Sequence, residues 1–546
     1  MVRLTHVVGK DLAFPWLGFS EKCSLPRFVL QMESRLPVAE DQSWQERSDR
    51  QAPAESEDPL RAIPAHVADF LLENYISRQM PQHPIFYEPW LRSCHSAVIH
   101  HTGRDGEMIS AATPYEIYTI SLIMAISLST AARAQFARVN SMAFELFNHA
   151  KTYIPEVLTN DFVGLQAIVL LYTYVMTNPA AANLYLMGSY MMQACIDLGL
   201  HYEQPDDDID LITLDLRRRV FWTAWSVDIS CSTVFRRKPT LLAKDIAAGY
   251  PSELEDGAIH STHIDPNGRR SKIMFTGTLE FRHVTAELNS VLSNTHALPP
   301  TFGPLETWMD TMEKRIHTWA TQIRQDAEAN TDPRLAAQWT EMSIFCDISE
   351  PLIILTLYRP CPRINHPKTH NLIKAFYASI GVVRGYMRQT NAEFGSSKYI
   401  FHSCHHVFSA AMVFLHTLRE CPSLVASMCT PTELEEYMSS FSDLFSLLAP
   451  KWPASLKCLE EYLRLLEPLK KRILNVFQHS TSRTPVDLHE NNEASMFNDI
   501  DYSMMDPSHY VTSAFENCDD TILADHLPDY GSVPLDWDQY FEFQTC

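Results

Sequence analysis

From Ile63 to about Arg483 the apolar residues of this 546-residue chain recur at helical spacing, and no segment shows sustained two-residue alternation joined by hairpin turn pairs. Only 16 glycines are spread over the whole length, so the chain lacks the left-handed turn positions that short-stranded folds need. An all-α, multi-helix, bundle-like domain is therefore predicted. Thr430-Pro431-Thr432-Glu433 supplies a capping hydroxyl, a proline at the first helical position and a glutamate that can bond back to the cap. Leu434, Met438, Phe441, Leu444, Phe445 and Leu448 follow on one stripe, predicting an amphipathic helix that ends near Pro450. Trp452-Pro453 opens a second helix, with Leu456, Leu459, Leu463 and Leu466 expected inward, Glu460, Glu461 and Arg464 outward, and a stop or kink at Glu467-Pro468.

At 46% hydrophobic content the chain can bury a large core. Its most apolar stretches, Ile117 to Ala132 and Leu165 to Met176, fall short of the roughly 18 to 20 residues of a membrane span and read as buried helices. The start M-V-R-L-T-H-V-V-G-K-D-L is broken by charges too early to be a secretory signal. Twelve cysteines are scattered with no two closer than eight positions, which points to a reducing compartment and to neither a disulfide framework nor a zinc ribbon. The net charge of -22 argues against a surface that grips phosphate along its whole length, so any nucleic-acid contact must be local.

Both ends differ from the middle. Residues 1–62 are irregular, and Glu40 to Asp58 has the low hydrophobicity and mixed charge of a disordered linker. After Arg483 there is no Lys or Arg, but fourteen Asp and Glu between Asp487 and Glu542, interleaved with Phe497, Tyr502, Tyr510, Phe515, Tyr530, Trp537, Tyr540, Phe541 and Phe543. Mutual repulsion keeps such aromatics solvent-exposed and available to a coactivator groove, so residues 484–546 are expected to be a disordered acidic activation segment.

Between Asp197 and Pro251 lies the densest set of motifs: Leu198-Gly199-Leu200-His201, then Arg217-Arg218-Arg219-Val220-Phe221-Trp222, Asp228, Pro239, Asp245-Ile246 and Pro251. This block resembles the middle homology region of the fungal-specific transcription factor family, whose members usually carry a six-cysteine binuclear zinc cluster. Ile63-Pro64, Leu71-Leu72, Tyr75 and His83-Pro84-Ile85-Phe86 resemble the start of that region, Leu165 to Leu170 and Met187-Gly188 to Leu198 its central helices, and Tyr358-Arg359-Pro360 a later helix end. The resemblance implies a middle homology core over residues 63–300 and a C-terminal helical part of the same domain over 301–483. It also implies Gly-Arg-Pro where this chain has the more basic Arg237-Lys238-Pro239. Arg218, Arg219, Phe221, Trp222, Asp228, Arg237, Pro239, Asp245 and Pro251 carry the family signature and are expected to be structural.

Helical steps through Leu216, Val220, Ala224, Val227, Cys231 and Val234 bury one side of this segment, and Phe221, Trp222 and Trp225 widen the stripe. Asp228 then falls within an apolar run, where a carboxylate needs a charged partner or backbone donors; Arg218, Arg236 and Arg237 are the nearest candidate cations. The zinc cluster that the resemblance implies needs six cysteines in a compact run, and Cys23 is the sole cysteine before Cys94. Gln31 to Leu60 also lacks the heptads of a coiled-coil linker. The chain thus resembles a zinc-cluster regulator that has lost its DNA reader, or one whose reading frame begins downstream of it; zinc is expected only with an upstream cluster.

Other constellations read as structure. Asp206-Asp207-Asp208-Ile209-Asp210 matches the D-D-x-x-D with which helical prenyl-diphosphate enzymes hold magnesium, but it follows Pro205 in a loop and no partner motif accompanies it. His402, His405 and His406 share a helix face, and His100-His101 are adjacent; all read as ordinary helix histidines. No nucleotide-binding glycine loop or serine-nucleophile elbow occurs. Among the short basic clusters, Arg217 to Arg219 and Lys470-Lys471-Arg472 are read at helix ends, and Gly268-Arg269-Arg270-Ser271-Lys272 in a loop is the best nuclear-import candidate. The resulting expectation is a nuclear, non-enzymatic transcriptional regulator of a metabolic or biosynthetic gene set, binding coactivators through its tail and sensing a small-molecule effector in its core. It would reach DNA directly or through a homo- or hetero-dimer with a zinc-cluster protein. The alternatives are a cluster-less co-regulator or inhibitor of such a partner and, from another class, an all-α magnesium enzyme using Asp206, Asp207 and Asp210.

Overall fold

The computed structural model describes residues 58–480 apart from 100–111, 132–135, 180, 204–208, 235–237, 294–297, 299–302 and 393–398. The readings of the N-terminal linker, the acidic tail, His100-His101, Asp206 to Asp208 and Arg236-Arg237 lie outside these residues. The described residues form helices joined by loops, and only isolated β-bridges occur among them, so the all-α expectation holds. They fall into two units, one made of 58–228 with 240–279 and the other of 229–239 with 280–480.

The first unit contains α1 (Ala65–Asn74), α2 (Glu88–Ile99), α3 (Pro114–Ala131), α4 (Phe136–Thr152), α5 (Ile154–Val157), α6 (Phe162–Thr177), α7 (Leu184–Asp197) and most of α8 (Leu211–Val234). Helix α3 is its hub, packing on α1, α2, α4 and α6. It is buried from Tyr118 through Leu128, which is why this stretch is apolar all round and not striped. Helix α6 is likewise buried from Gly164 to Thr177, and Asn178, the residue before Pro179, caps its end. None of the helices among the described residues is long and apolar enough to cross a membrane.

Two glycines carry backbone roles here. Gly199, just past α7, sits at φ +66°, and the chain turns there with the Leu200 N–H donating to the Cys195 carbonyl. Gly164 lies in the first turn of α6, where the Asp161 carboxylate accepts its N–H at 2.8 Å. A Cβ at Gly164 would lie 1.9 Å from the Thr159 carbonyl oxygen, a contact with backbone that cannot swing aside.

The second unit contains the end of α8, α9 (Ile273–Leu288, from Glu280), α10 (Leu305–Ala329), α11 (Ala336–Tyr358), α12 (Thr369–Asn391), α13 (Ile400–Glu420), α14 (Pro422–Met428), α15 (Pro431–Leu448) and α16 (Ala454–Ser480). Helices α10, α11, α12 and α13 pack in sequence, and α16 lies against α13, α14 and α15. Charged pairs stitch the partly exposed seams: Glu313 accepts from the Tyr358 hydroxyl at 2.5 Å and from Lys374 at 2.7 Å, and Arg324 donates to Glu350 at 2.6 Å. The capping box of α15 is complete, with the Glu433 N–H donating to the Thr430 hydroxyl oxygen and the Thr430 N–H to the Glu433 carboxylate, and its six stripe residues are all buried.

Helix α16 departs from the expected face. Leu456 and Leu463 are 45% and 46% exposed, while Cys458, Tyr462, Leu466 and Ile473 are buried. The stripe turned by the Tyr462 ring prevails because its hydroxyl donates to the Met438 carbonyl at 3.0 Å and its ring packs on Phe441. Pro468 does not stop the helix, which continues to Ser480; the proline is exposed, so the carbonyl it frees faces water.

Gly164→Ala should destabilise the protein by about 1–3 kcal/mol through this clash, although Gly-to-Ala in a helix ordinarily gains about 1 kcal/mol. A denaturant midpoint equal to or above that of the parent chain would contradict the contact.

Candidate functional site

The signature block folds as a helix and a segment that returns along it. Asp210 caps α8, its carboxylate accepting the N–H groups of Ile212 and Thr213 and the Thr213 hydroxyl. This member of the Asp-rich run therefore spends its oxygens on a helix start. Farther along α8, Trp222 donates through Nε1 to the Gly249 carbonyl at 2.8 Å and stacks on Tyr250 at 4.7 Å. Phe221 and Trp225 meet the Trp222 ring edge-on, each at 5.3 Å. Arg218 holds the same return, donating to Glu203 at 2.6 and 2.8 Å and to the Tyr250 carbonyl. Pro251 is buried, Asp245 stands exposed in a short turn, and Pro239 is half-buried. Arg237 is outside the described residues.

Asp228 does not pair with Arg218, as its nearness in sequence suggested. Its carboxylate accepts the Thr240 N–H at 2.8 Å and the Thr240 hydroxyl at 3.2 Å, because the chain returns to it from beyond Pro239. Burial pushes this carboxyl up to about 6, and the two Thr240 bonds only partly oppose the shift.

Beneath this block is a buried ion cluster. Arg219, 2% exposed, reaches Asp215 at 2.5 Å and Asp256 at 2.7 Å, and Lys272 Nζ lies 3.3 Å from Asp256. The carboxylates also accept backbone N–H groups, Asp215 from Ser252 at 2.5 Å and Asp256 from Glu88 at 2.8 Å. Lys272 donates in addition to the Leu254 carbonyl. Two cations and two anions thus tie α8 to the first turn of α2, to the loop after Pro251 and to the start of α9. Burial alone would raise the Asp256 carboxyl, but Arg219, Lys272 and the Glu88 N–H hold it below its ordinary range. Burial, with Arg219 adding to it, lowers the Lys272 amine to about 8 against the pull of Asp256 and Asp215.

This arrangement corrects the reading of the basic clusters. Arg219 lies within α8, not at a helix end, and pairs with two carboxylates inside the first unit. In the loop cluster, Arg269 pairs with Glu255 at 2.7 Å, the exposed Arg270 pairs with Glu253 at 2.5 Å, and Lys272 is buried in the ion cluster.

The second unit holds a cavity of about 50 Å³, room for a few waters, lined by the end of α8 and by α9, α11 and α13. Arg282, Arg359, His405, His406 and several hydroxyls face it across apolar walls. The three histidines of α13 do not converge: His402 meets the Ser230 hydroxyl at 2.5 Å, His406 meets the Tyr386 hydroxyl at 2.7 Å, and His405 is buried against Phe401 and Trp452. Among the described residues no three His, Cys, Asp or Glu are grouped to hold a metal. Asp215, Asp256 and Arg282 carry no motif in the sequence, while Lys272 stands there as part of a loop cluster and Arg359 as part of a helix end; the one local signal was Asp215 and Arg219 at i,i+4 on a helix otherwise heading into the core.

Residues 74–321 match the family model of the fungal specific transcription factor domain. Among curated proteins it is similar to the pyrimidine pathway regulatory protein 1 of Saccharomyces cerevisiae, 30% identical over 167 residues that cover 29% of this chain and 18% of that protein. It is also similar to the positive regulator of purine utilization of Emericella nidulans, 21% identical over 394 residues that cover 58% of this chain and 36% of that protein. The chain thus spans 18% of the length of the first relative and 36% of the second. A solved structure titled the K. lactis CBF3 core aligns over 76% of this chain and 88% of that one at a TM-score of 0.43 and 12% identity.

Two substitutions test the geometry. Arg219→Met leaves two buried carboxylates without their shared cation and should cost about 3–5 kcal/mol, read as a fall in melting temperature of the purified chain; a change under ~1 kcal/mol would contradict the cluster's role. Because the folded Asp228 carboxyl titrates above its unfolded value, its charged form burdens the fold above about pH 6 and the burden lifts as pH falls toward 4. Asp228→Asn should therefore stabilise the chain by ~1 kcal/mol at pH 7.5, with the advantage shrinking at pH 5; the opposite pH trend would refute the burial account.

Proposed function

We propose that this chain is a nuclear transcriptional regulator of a metabolic or biosynthetic gene set. The observation that carries the reading is the fungal specific transcription factor domain over residues 74–321, supported by the names of the two relatives, one a pyrimidine pathway regulator and the other a positive regulator of purine utilization. The helical domain supplies protein contacts and senses a small-molecule effector, and residues 484–546 recruit coactivators through their acidic and aromatic side chains. DNA is reached directly or through a zinc-cluster partner, as a homo- or hetero-dimer. Effector binding acts as a population shift between helix arrangements that expose or mask the tail. The signature residues Arg218, Arg219, Phe221, Trp222, Asp228, Pro239, Asp245 and Pro251 serve this function by holding the domain together, with no catalytic step.

Fusing residues 484–546 to an unrelated DNA-binding domain should activate a reporter well above the bare domain. Replacing Trp537, Tyr540, Phe541 and Phe543 with alanine should remove most of that activation while the acids remain. Activation no greater than that of the bare domain would defeat the activator reading.

A further inference from the structure

We infer that the cavity of the second unit binds a small organic anion, a carboxylate or phosphate ester that also carries a hydroxyl. The assignment rests on the proposal that the helical core senses an effector, and it names the chemistry of that effector.

Two half-buried guanidinium groups, Arg282 from α9 and Arg359 from the end of α11, line one cavity whose lining residues include no carboxylate. Their fields converge: the His406 imidazole is held down to about 3, first by burial and then by the charges of Arg282 and Arg359. Both cations thus line the same small space, and an anion entering it meets two guanidinium groups. Arg359 is also oriented, donating through Nη1 to the Ser409 hydroxyl at 2.7 Å, and a fixed planar fork suits a carboxylate or phosphate better than a point charge does.

The hydroxyls add a second requirement. Thr285 donates its O–H to the Phe281 carbonyl at 2.9 Å, Thr356 to Leu352 at 2.8 Å and Thr233 to Ile229 at 2.8 Å. With those protons spent on the helix backbone, the three oxygens offer the cavity only lone pairs, which accept from a ligand hydroxyl. Phe281, Leu288, Leu352 and Ile353 wall the rest, and about 50 Å³ leaves room for only a short carbon body.

The test is melting temperature and titration calorimetry on the purified full chain with malate, succinate, glycerol 3-phosphate and glycerol, each matched to sodium chloride at equal ionic strength. Malate or glycerol 3-phosphate should raise the melting temperature and bind, glycerol should not, and succinate, lacking the hydroxyl, should bind several-fold more weakly than malate. A rise with malate alone assigns a carboxylate ligand, and one with glycerol 3-phosphate alone assigns a phosphate ester. Arg282→Gln should weaken the bound anion roughly tenfold or more, and Thr356→Val, which keeps the side-chain volume, should erase the preference for malate over succinate. Failure of every anion to bind the unmodified chain overturns the inference, as does a folded Arg282→Gln chain that binds like the parent. Anion binding without reporter activation by the tail leaves the site standing and removes the activator reading; activation without anion binding does the reverse.

Discussion

The packing of the first unit depends on one buried contact, Arg219 held between Asp215 and Asp256. A guanidinium taken out of water is costly, and so are two carboxylates and an ammonium. The cost is offset only where each charge meets its partner at hydrogen-bond distance and the remaining lone pairs find donors. Here the Ser252 and Glu88 amides and the Lys272 amine complete the set. Because those partners come from distant stretches of chain, the cluster fixes where α2 begins and where α9 starts relative to α8. A hydrophobic replacement of the whole set would hold the same elements with less directional demand.

The signature residues around this cluster share one task. Trp222, Arg218 and Asp228 each bind backbone or side-chain groups of the segment that returns after Pro239, at Gly249, Tyr250 and Thr240. Three side chains along α8 thereby hold the returning segment at three separate points. In the second unit, α9, α11 and α13 bring arginines and backbone-bonded hydroxyls around a cavity.

Much of the architecture could be read from the residues alone. Helical periodicity, the Thr430 capping box and the Asn178-Pro179 stop are local signals, and each appears where the sequence places it. The failures are equally physical. On α16 two apolar stripes overlap, and nothing local says that Tyr462 and Cys458 turn inward while Leu456 and Leu463 face water. A backbone donor was one of the two kinds of partner open to Asp228, but nearness in sequence does not show that it is Thr240, which arrives by tertiary return. Asp256 and Lys272 sit in polar loop sequence, where a buried charge looks the same as a solvated one. A cavity lined by four segments leaves no trace in any one of them.

Native-state hydrogen exchange at the Glu88 and Ser252 amides tests the central contact most directly, because both N–H groups lie in irregular or helix-starting positions and are held only by the cluster's carboxylates. Exchange of both amides only through unfolding of the unit, with protection matching that of α3, is the predicted result. Exchange at the rate of ordinary loop amides would contradict the claim that the Arg219 cluster holds the first unit together.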